Sequence, residues 1–197
     1  MRRMRSDAQR NRERILDAAA RAFEEHGFDV PVGEIADAAG VGRATLFRNF
    51  PTKEELIVAV AIRMMTGWLI DAQAMLDAAR PDDPELIFDL MTEMSGRRQS
   101  SRTLLDSCTE DFMERPEASG CRDQLFAVLT EALARGRATG SVREDVVPSD
   151  VIMLLKGLWG SIEELGPQVQ DRHLELIRAA ISAPGYSRPL QAEPAVL

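Results

Sequence analysis

Aromatic side chains, cysteine and histidine are scarce in this chain of 197 residues. Phe, Trp and Tyr make up 5% of the sequence, which holds only two cysteines and two histidines. The cysteines, Cys108 and Cys121, form no CxxC pair, which argues against a zinc site. The sequence has no Gly-rich phosphate loop, GxSxG segment or nucleophile–base set, so enzymes such as helical hydrolases are disfavoured. We therefore expect no catalytic activity, no metal and no cofactor.

Long apolar runs are also missing. No stretch of about 18 apolar residues occurs, so the sequence predicts no membrane-spanning helix. The N-terminus, MRRMRSDAQRNRERIL, is charged and lacks the apolar segment of a signal peptide. We therefore expect a cytoplasmic protein whose cysteines are reduced thiols. A redox role would need a reactive thiolate, and the sequence leaves this open for Cys108 and for Cys121, which lies in the first turn of a predicted helix.

Strand patterns are absent as well, because Val, Ile and Thr do not alternate with polar residues anywhere. Ala and Leu are abundant and 45% of the residues are hydrophobic, which predicts an all-α fold with a sizeable core. Apolar spacing and Pro/Gly boundaries predict helices at about 7–26, 32–39, 43–49, 53–79, 84–97, 101–114, 116–136, 148–165 and 168–182. Residues 1–8 are expected to be a disordered arm, and the Pro-rich C-terminal segment 187–197 is expected to be loose.

Charge is distributed unevenly along the chain. Residues 1–53 contain 10 Lys/Arg and 8 Asp/Glu, a net charge of +2, whereas residues 54–197 contain 14 and 24, a net charge of −10. A basic end on an acidic body favours a polyanionic partner at that end only. We therefore expect an N-terminal three-helix domain at 1–52, which includes the basic N-terminal arm, and a larger helical domain at 53–186.

One stretch has the pattern of a helix-turn-helix motif. IADAAGVGRATLFRNF places two short helices around Gly40, which can adopt the left-handed conformation of a tight turn. Ile35, Leu46 and Phe50 are spaced to fill a small core, so the other residues of the second short helix face outward. When such a helix enters the major groove of DNA, residues near its N-terminus, here Arg43, meet base edges. The side chains suited to phosphate oxygens are Thr45, Arg48, Asn49 and Lys53.

The same stretch resembles a known protein family. IADAAGVGRATLFRNFPTKEELIVAV is similar to the DNA-binding signature of the tetracycline-repressor (TetR) family of bacterial regulators. The matching positions are Ile35, Ala36, Ala39, Gly40, Val41, Thr45, Leu46, Phe50, Lys53, Glu54 and Leu56. RERILDAAARAFEEHGF resembles the family's first helix, so the close match covers about residues 10–60. LARGRATGSVREDVVPSDVIMLLKGL and the following APGYSRPL resemble the effector domain of one actinobacterial-type subset.

The sequence departs from the family's pattern at several positions. Val30-Pro31 replaces the Ser or Thr that caps the family's second helix and contacts phosphate, so that contact is not expected here. Phe47 replaces a Tyr and lacks its hydroxyl, whereas Asn49 replaces a His and can still donate a hydrogen bond. The usual Ser and Gly are replaced by Gly42 and Ala44. The arginine-rich arm can offset these losses by reaching phosphates or an adjacent minor groove.

The resemblance implies a homodimer that binds a palindromic operator in double-stranded DNA. Each subunit would place its third helix in one of two successive major grooves, with half-sites roughly 34–36 Å apart or at multiples of that distance. The residues predicted to contact DNA are Arg43, Ala44, Thr45, Phe47, Arg48, Asn49 and Lys53.

The resemblance also implies that the acidic body binds a small-molecule effector. Methionine and aromatic side chains in the middle of the chain can line a pocket for an apolar effector or simply pack the core, and both interpretations stay open. The residues predicted to line the pocket are Met64, Trp68, Met91, Met94, Cys108, Phe112 and Phe126.

The last two predicted helices, within VIMLLKGLWGSIEEL and HLELIRAAI, are apolar over a broad face. In the family the last two helices of each subunit form a four-helix dimer interface, and the alternative here is burial within the subunit. The residues predicted to form the dimer interface are Leu154, Leu155, Leu158, Trp159, Ile162, Leu174, Ile177 and Ile181.

The leading interpretation is a ligand-responsive transcriptional repressor, associated with the nucleoid when bound to DNA. An effector would release it by preferring a conformation in which the two recognition helices are differently spaced. The alternative is a DNA-binding regulator that is switched by a protein partner or that lacks a small-molecule effector. Activation instead of repression is also compatible with the sequence.

Overall fold

Helices form most of the backbone that the structure describes. The computed structural model describes residues 2–100 and 115–186. Within these residues the α-helices, which we number α1 to α8, span Arg2–His26, Val32–Ala39, Arg43–Asn49, Lys53–Ala78, Leu86–Ser100, Ser119–Ala138, Pro148–Leu165 and Gln170–Ile181. Short 3-10 turns, Pro116–Ala118 and Pro167–Val169, precede α6 and α8. The predicted all-α fold is confirmed.

Helix boundaries follow the prolines and glycines of the sequence. The bounds predicted for α2, α3 and α7 agree with the structure, because Gly40, Pro148 and Gly166 mark their ends. The prediction of a disordered arm at 1–8 is wrong: α1 begins at Arg2, since no helix breaker separates the first arginines from the apolar spacing that follows. The helix predicted at 101–114 and the loose segment 187–197 lie outside the described residues.

The chain divides into two compact units. The first comprises Met1–Gly67 and Ser101–Ser119, and the second comprises Trp68–Ser100 and Gly120–Leu197. This division falls inside α4 and differs from the boundary predicted after residue 52. The reason is that Leu56 and Val60, in the first half of α4, are fully buried in the core of the first unit.

The core of the first unit fixes the helix-turn-helix segment against α1. Its largest fully buried side chains include Ile15 and Phe23 of α1 and Ile35 of α2. Leu46 of α3 and Phe50, the residue after α3, complete this core. Because α2 and α3 each insert an apolar side chain beside α1, the outward faces of these short helices are determined by the sequence.

The second unit has its own core. Leu76, Ile87, Leu129, Leu133 and Leu155, from α4 to α7, are fully buried in it, and α8 adds Ile177 and Ile181. No helix in the described part of the chain is long and apolar enough to span a membrane.

Candidate nucleic-acid interface

The turn between α2 and α3 depends on a glycine in the left-handed conformation. Gly40 has φ 62° and ψ 39°, a region that other L-residues adopt only with strain. The Gly40 N–H donates a hydrogen bond to the Asp37 carbonyl, and the Val41 N–H donates to the Ala36 carbonyl, each at 3.0 Å. A Cβ at position 40 would lie 2.4 Å from Nη2 of Arg14. Both the backbone and the neighbouring side chain therefore favour glycine here.

Two buried side chains decide which face of α3 is presented outward. Leu46 is 1% exposed and Phe50 is 2% exposed, so these positions face the core. Elsewhere on the surface of α3, Arg43, Ala44, Phe47 and Arg48 are exposed, and Phe47 presents 46% of its surface. Thr45, Asn49 and Lys53 are half-buried. All seven residues predicted to contact DNA thus keep some exposed surface, and the exposed face of α3 carries two arginines around an aromatic ring.

The first turn of α3 begins at an uncapped glycine. The Gly42 carbonyl accepts hydrogen bonds from the N–H groups of Thr45 and Leu46 at 2.8 and 3.1 Å, and position 42 provides no side-chain cap. The preceding helix has the same property, since Pro31 at the N-cap of α2 makes no side-chain hydrogen bond. The departures from the family's capping residues therefore leave both N-termini without a hydroxyl.

Arg43 packs against α2. A Cβ built on Gly33 would lie 2.3 Å from Nη2 of Arg43 and 2.8 Å from its Nε. The guanidinium group therefore rests on the backbone of Gly33, in the first turn of α2, and buries that glycine. Sequence reasoning placed Arg43 at the DNA-facing end of α3 but missed this neighbour, although a glycine inside a short helix is itself a signal of close approach.

Hydrogen bonds within α3 orient its other polar side chains. Arg48 donates from Nε to the Ala44 carbonyl at 3.2 Å and from Nη2 to Oγ1 of Thr45 at 3.0 Å. Asn49 donates from Nδ2 to the Thr45 carbonyl at 2.8 Å. The two bonds of Arg48 hold its side chain along α3, so that its positive charge lies over the exposed face. A phosphate oxygen there can accept hydrogen bonds from its remaining N–H groups.

The start of α4 places Lys53 beside this face. Thr52 accepts a hydrogen bond on Oγ1 from the Glu55 N–H at 3.1 Å, and its carbonyl accepts one from the Leu56 N–H at 3.3 Å. The sequence Thr-Lys-Glu-Glu has the pattern of a capping box, in which two hydrogen bonds join the N-cap residue and the residue three positions later. The bond from the Glu55 N–H to the Thr52 hydroxyl is one of these two. The helix start that follows α3 is therefore fixed locally, and Lys53 occupies its first position.

Two arginines of α1 contact the ends of α3. Arg12 donates from Nη1 to the Asn49 carbonyl at 3.2 Å, and its guanidinium carbon lies 4.2 Å from the centre of the Phe50 ring. Arg14 donates from Nη2 to the Gly40 carbonyl at 3.3 Å. These two arginines follow the predicted arm at 1–8 and bind protein carbonyls, which the sequence did not indicate.

The second unit contains a cavity of about 250 Å³ between α5 and α8. It is lined by Phe88, Met91, Thr92, Asp171, Leu174, Glu175 and Arg178. At its edge Arg178 lies 3.9 Å above the Phe88 ring and donates to a Glu85 carboxylate oxygen at 2.7 Å. The Tyr186 hydroxyl donates to the same carboxylate. Nearby, burial and then the charges of Glu85 and Asp83 raise the pKa of Asp89, against the opposing effect of Arg178.

The structure does not bring the residues predicted to line an effector pocket together at this cavity. Of the five residues of that set that the structure describes, only Met91 lines it. Met94 packs against the core of the second unit, whereas Met64 packs against the core of the first. Trp68 is half-buried and Phe126 is 40% exposed. Cys108 and Phe112 lie outside the described residues.

The predicted dimer interface stays a prediction, and its residues differ in how much surface they expose. Five of its eight residues are buried in the chain's own core and offer almost no surface to a partner: Leu155, Leu158, Ile162, Ile177 and Ile181. Leu154, Trp159 and Leu174 are half-buried against that core. The exposed apolar side chains of α7 and α8 are instead Met153, Leu165 and Leu176. Most of the apolar side chains of α7 and α8 therefore pack within the subunit, because these helices contact each other and α5.

Comparison with known proteins matches both parts of the chain to families of regulators. Residues 15–60 match the family model described as bacterial regulatory proteins, tetR family. Residues 83–181 match the C-terminal domain of SbtR-like transcriptional regulators. The relatives found in these comparisons are transcriptional regulators, not enzymes.

Individual relatives agree with these matches. The HTH-type transcriptional repressor KstR of Mycobacterium tuberculosis is 31% identical over 144 residues, which cover 71% of this chain and 64% of KstR, just under two thirds of that protein. A TetR transcription regulatory protein from Mycobacterium vanbaalenii is 32% identical, with a TM-score of 0.65 over 91% of this chain and 99% of that one. The TetR regulator SCO0520 from Streptomyces coelicolor is 25% identical, with a TM-score of 0.62 over 88% and 99%.

These matches cover both the helix-turn-helix segment and the helical body whose geometry is described above. The chain belongs to the TetR family of bacterial transcriptional regulators, and α2, the Gly40 turn and α3 are its DNA-binding helix-turn-helix.

Proposed function

We propose that the protein is a homodimeric repressor that binds a palindromic operator in the cytoplasm and is released by a small-molecule effector. The observation that carries the proposal is the exposed surface of α3, where Arg43, Phe47 and Arg48 are exposed while Leu46 is buried. Family membership supports it, because TetR regulators typically bind DNA as dimers and respond to small molecules.

On DNA, we propose that α3 lies in the major groove. Arg43, in its first turn, is the residue for base edges, and an arginine can bond guanine O6 and N7 with both guanidinium nitrogens. Thr45, Arg48, Asn49 and Lys53 are the residues for phosphate oxygens. Ala44 and Phe47 complete the contact surface with apolar groups. Two such helices in one dimer would read half-sites roughly 34–36 Å apart.

Selection of bound sequences from random duplex DNA at physiological salt tests this function. Enrichment of a palindrome is the expected result, and binding that depends on salt but enriches no sequence would contradict the proposal. That second result would favour the alternative, a DNA-binding regulator that is switched by a protein partner.

For the effector, we propose a molecule with an apolar body and a polar group. The cavity between α5 and α8 supports this, since its apolar side chains Phe88, Met91 and Leu174 lie beside the carboxylates of Asp171 and Glu175. Specific sites of this kind combine apolar walls with a few polar groups that fix orientation. This refines the expectation of a purely apolar effector.

A matched pair of substitutions can test the cavity. Thr92 lines it and is exposed on α5, where its hydroxyl donates to the Phe88 carbonyl at 2.9 Å. Thr130 on α6 is also exposed and makes the same type of bond to the Phe126 carbonyl at 2.7 Å. Compounds from a metabolite panel that raise the melting temperature should lose that effect with Thr92→Phe and keep it with Thr130→Phe. Equal responses would place the site elsewhere.

A further inference from the structure

The recognition helix is short and is poorly anchored by its own side chains. α3 has seven residues, and within it, where every residue is described, Leu46 alone is buried. The next buried anchor is Phe50, which lies directly after the last residue of α3, so the direction of the helix depends on how that end is held. Contacts at the two ends of α3 therefore decide its angle within the DNA-binding unit.

Arg12 supplies such a contact at the C-terminal end. Asn49 is the last residue of α3, and the carbonyl groups of a final helical turn have no partner within the helix. The Arg12 guanidinium donates to the Asn49 carbonyl at 3.2 Å, across 37 positions of sequence. A cation at this place also interacts favourably with the negative end of the helix dipole.

The same guanidinium group covers the aromatic ring that follows α3. Its central carbon lies 4.2 Å from the centre of the Phe50 ring, within the range of a cation–π contact. Phe50 is buried in the core beside α1, so this ring does not move independently of the unit. Arg12 thus joins α1 to both the terminal carbonyl and the anchoring ring of α3.

Arg14 makes the corresponding contact at the other end. It donates to the carbonyl of Gly40, the turn residue that leads into α3, at 3.3 Å. Two arginines on α1 therefore hold the carbonyl of the last residue of α3 and the carbonyl of Gly40 in the turn that precedes it.

We propose that Arg12 is a positioning residue for sequence readout: it sets the angle of α3 through the Asn49 carbonyl and the Phe50 ring. It contributes to discrimination between operator and random DNA more than to phosphate binding. This inference rests on the DNA binding proposed above and adds a residue outside the recognition helix to its specificity.

The test compares Arg12→Ala, Arg12→Lys and Arg10→Ala for binding to the selected palindrome and to random duplex across a salt series. Arg10 is the matched control, since it is an exposed arginine of α1 two residues earlier that pairs with Asp7 on the same helix. Arg12→Ala should lower the ratio of operator to random affinity about tenfold, with little change in the salt slope. Arg12→Lys should restore only part of the ratio, because an ammonium cannot bond the carbonyl and cover the ring together. Arg10→Ala should leave the ratio unchanged.

A phosphate role gives the opposite pattern and would overturn the proposal. Arg12→Ala would then weaken both DNAs equally and reduce the salt slope by about one, and Arg12→Lys would behave like the wild type. If the wild type itself shows no preference for any sequence, the proposed function fails independently of Arg12.

A measurement without DNA tests the positioning contact directly. The Phe50 N–H donates to the Leu46 carbonyl at 2.9 Å at the end of α3. Amide hydrogen exchange at Phe50 should be at least about fivefold faster in Arg12→Ala than in Arg10→Ala, because the end of α3 opens more often. When Phe50→Leu is added to both arginine variants, most of the difference between their exchange rates at position 50 should disappear. Equal exchange rates in the two arginine variants would refute the positioning role.

Discussion

Arg43 is the side chain in the first turn of α3 that is proposed to read a base. Arg43→Ala should lower discrimination between the operator and a site with one altered base pair by about 1–3 kcal/mol, the usual contribution of a bidentate arginine–guanine contact. Competition binding with both duplexes measures this. Arg21→Ala, which removes an equal charge from an exposed position on α1, is the control and should preserve discrimination. Equal losses on every duplex in Arg43→Ala would show that Arg43 does not read a base.

Lys53 is predicted to act on the DNA backbone instead. Lys53→Ala should weaken binding to all sequences similarly and reduce the slope of log affinity against log salt by about one, because one fewer counterion is released. Binding measured at several salt concentrations gives the slope. Lys156→Ala removes the same charge from an exposed position on α7 and should leave the slope as it is. An unchanged slope in Lys53→Ala would exclude a phosphate contact.

For single residues, the sequence predicts burial and turn conformation well but does not predict contacts between helices. Leu46, Phe50 and Gly40 follow from apolar spacing and turn chemistry, and the structure confirms their burial and left-handed backbone. The contacts of Arg12 with Asn49 and of Arg43 with Gly33 do not follow. They join different helices, and no local periodicity encodes which long side chain will reach which backbone group.

Among the elements, the α2–α3 turn is the one most dependent on a single backbone conformation. Gly40→Ala should destabilise the protein by about 1–2 kcal/mol, since alanine is strained at positive φ. Its methyl group would also displace Arg14. Urea denaturation of the full chain measures the change.

A glycine inside a helix, on α4, provides the matched control for Gly40. Gly67 lies inside Lys53–Ala78, and a methyl group there would meet no atom within 4 Å among the described residues. Gly67→Ala should therefore stabilise the protein by roughly 0.5–1 kcal/mol through helix propensity. Changes of the same sign in the two variants would contradict the assignment of Gly40 as a strained position.

Helix limits were predictable where proline or glycine forces them. α2, α3 and α7 have the predicted bounds, whereas α1 begins earlier and α5 begins and ends later than predicted. At α5 the Asp83 carboxylate accepts a hydrogen bond from the Glu85 N–H at 3.0 Å, which extends the turn and delays the helix to Leu86. A side chain that competes for a backbone N–H shifts a boundary in a way that Pro84 alone did not indicate.

For the whole molecule, apolar patterning on α7 and α8 does not by itself distinguish a subunit core from a partner surface. The stripes of α7 and α8 looked broader than one neighbouring helix requires, yet Leu155, Leu158 and Ile177 are fully or almost fully buried inside the second unit. A sequence reports that a residue is apolar, and the same signal arises from a subunit core and from a subunit interface. Only the packing of α7 and α8 with α5 separates the two sets.

The prediction of a dimer is therefore tested at the exposed apolar residues of α7 and α8. Leu176 on α8 is 47% exposed and Met153 on α7 is 62% exposed, whereas Ile70, 60% exposed on α4, lies on neither helix. If α7 and α8 form the interface, Leu176→Glu buries a charge there and should raise the dimer dissociation constant on the order of a hundredfold. Ile70→Glu introduces the same charge at a similarly exposed site and should leave the dimer intact.

Sedimentation analysis at several protein concentrations measures both variants, and operator binding provides the functional consequence. A dissociated Leu176→Glu variant should bind a single half-site weakly and lose its preference for the palindrome, because the two recognition helices are then no longer linked. Its melting behaviour at high concentration should stay close to that of the wild type, since Leu176 contributes little to the subunit core. A wild-type protein that sediments as a monomer would contradict the dimer, and a dimeric Leu176→Glu variant would place the interface on another surface.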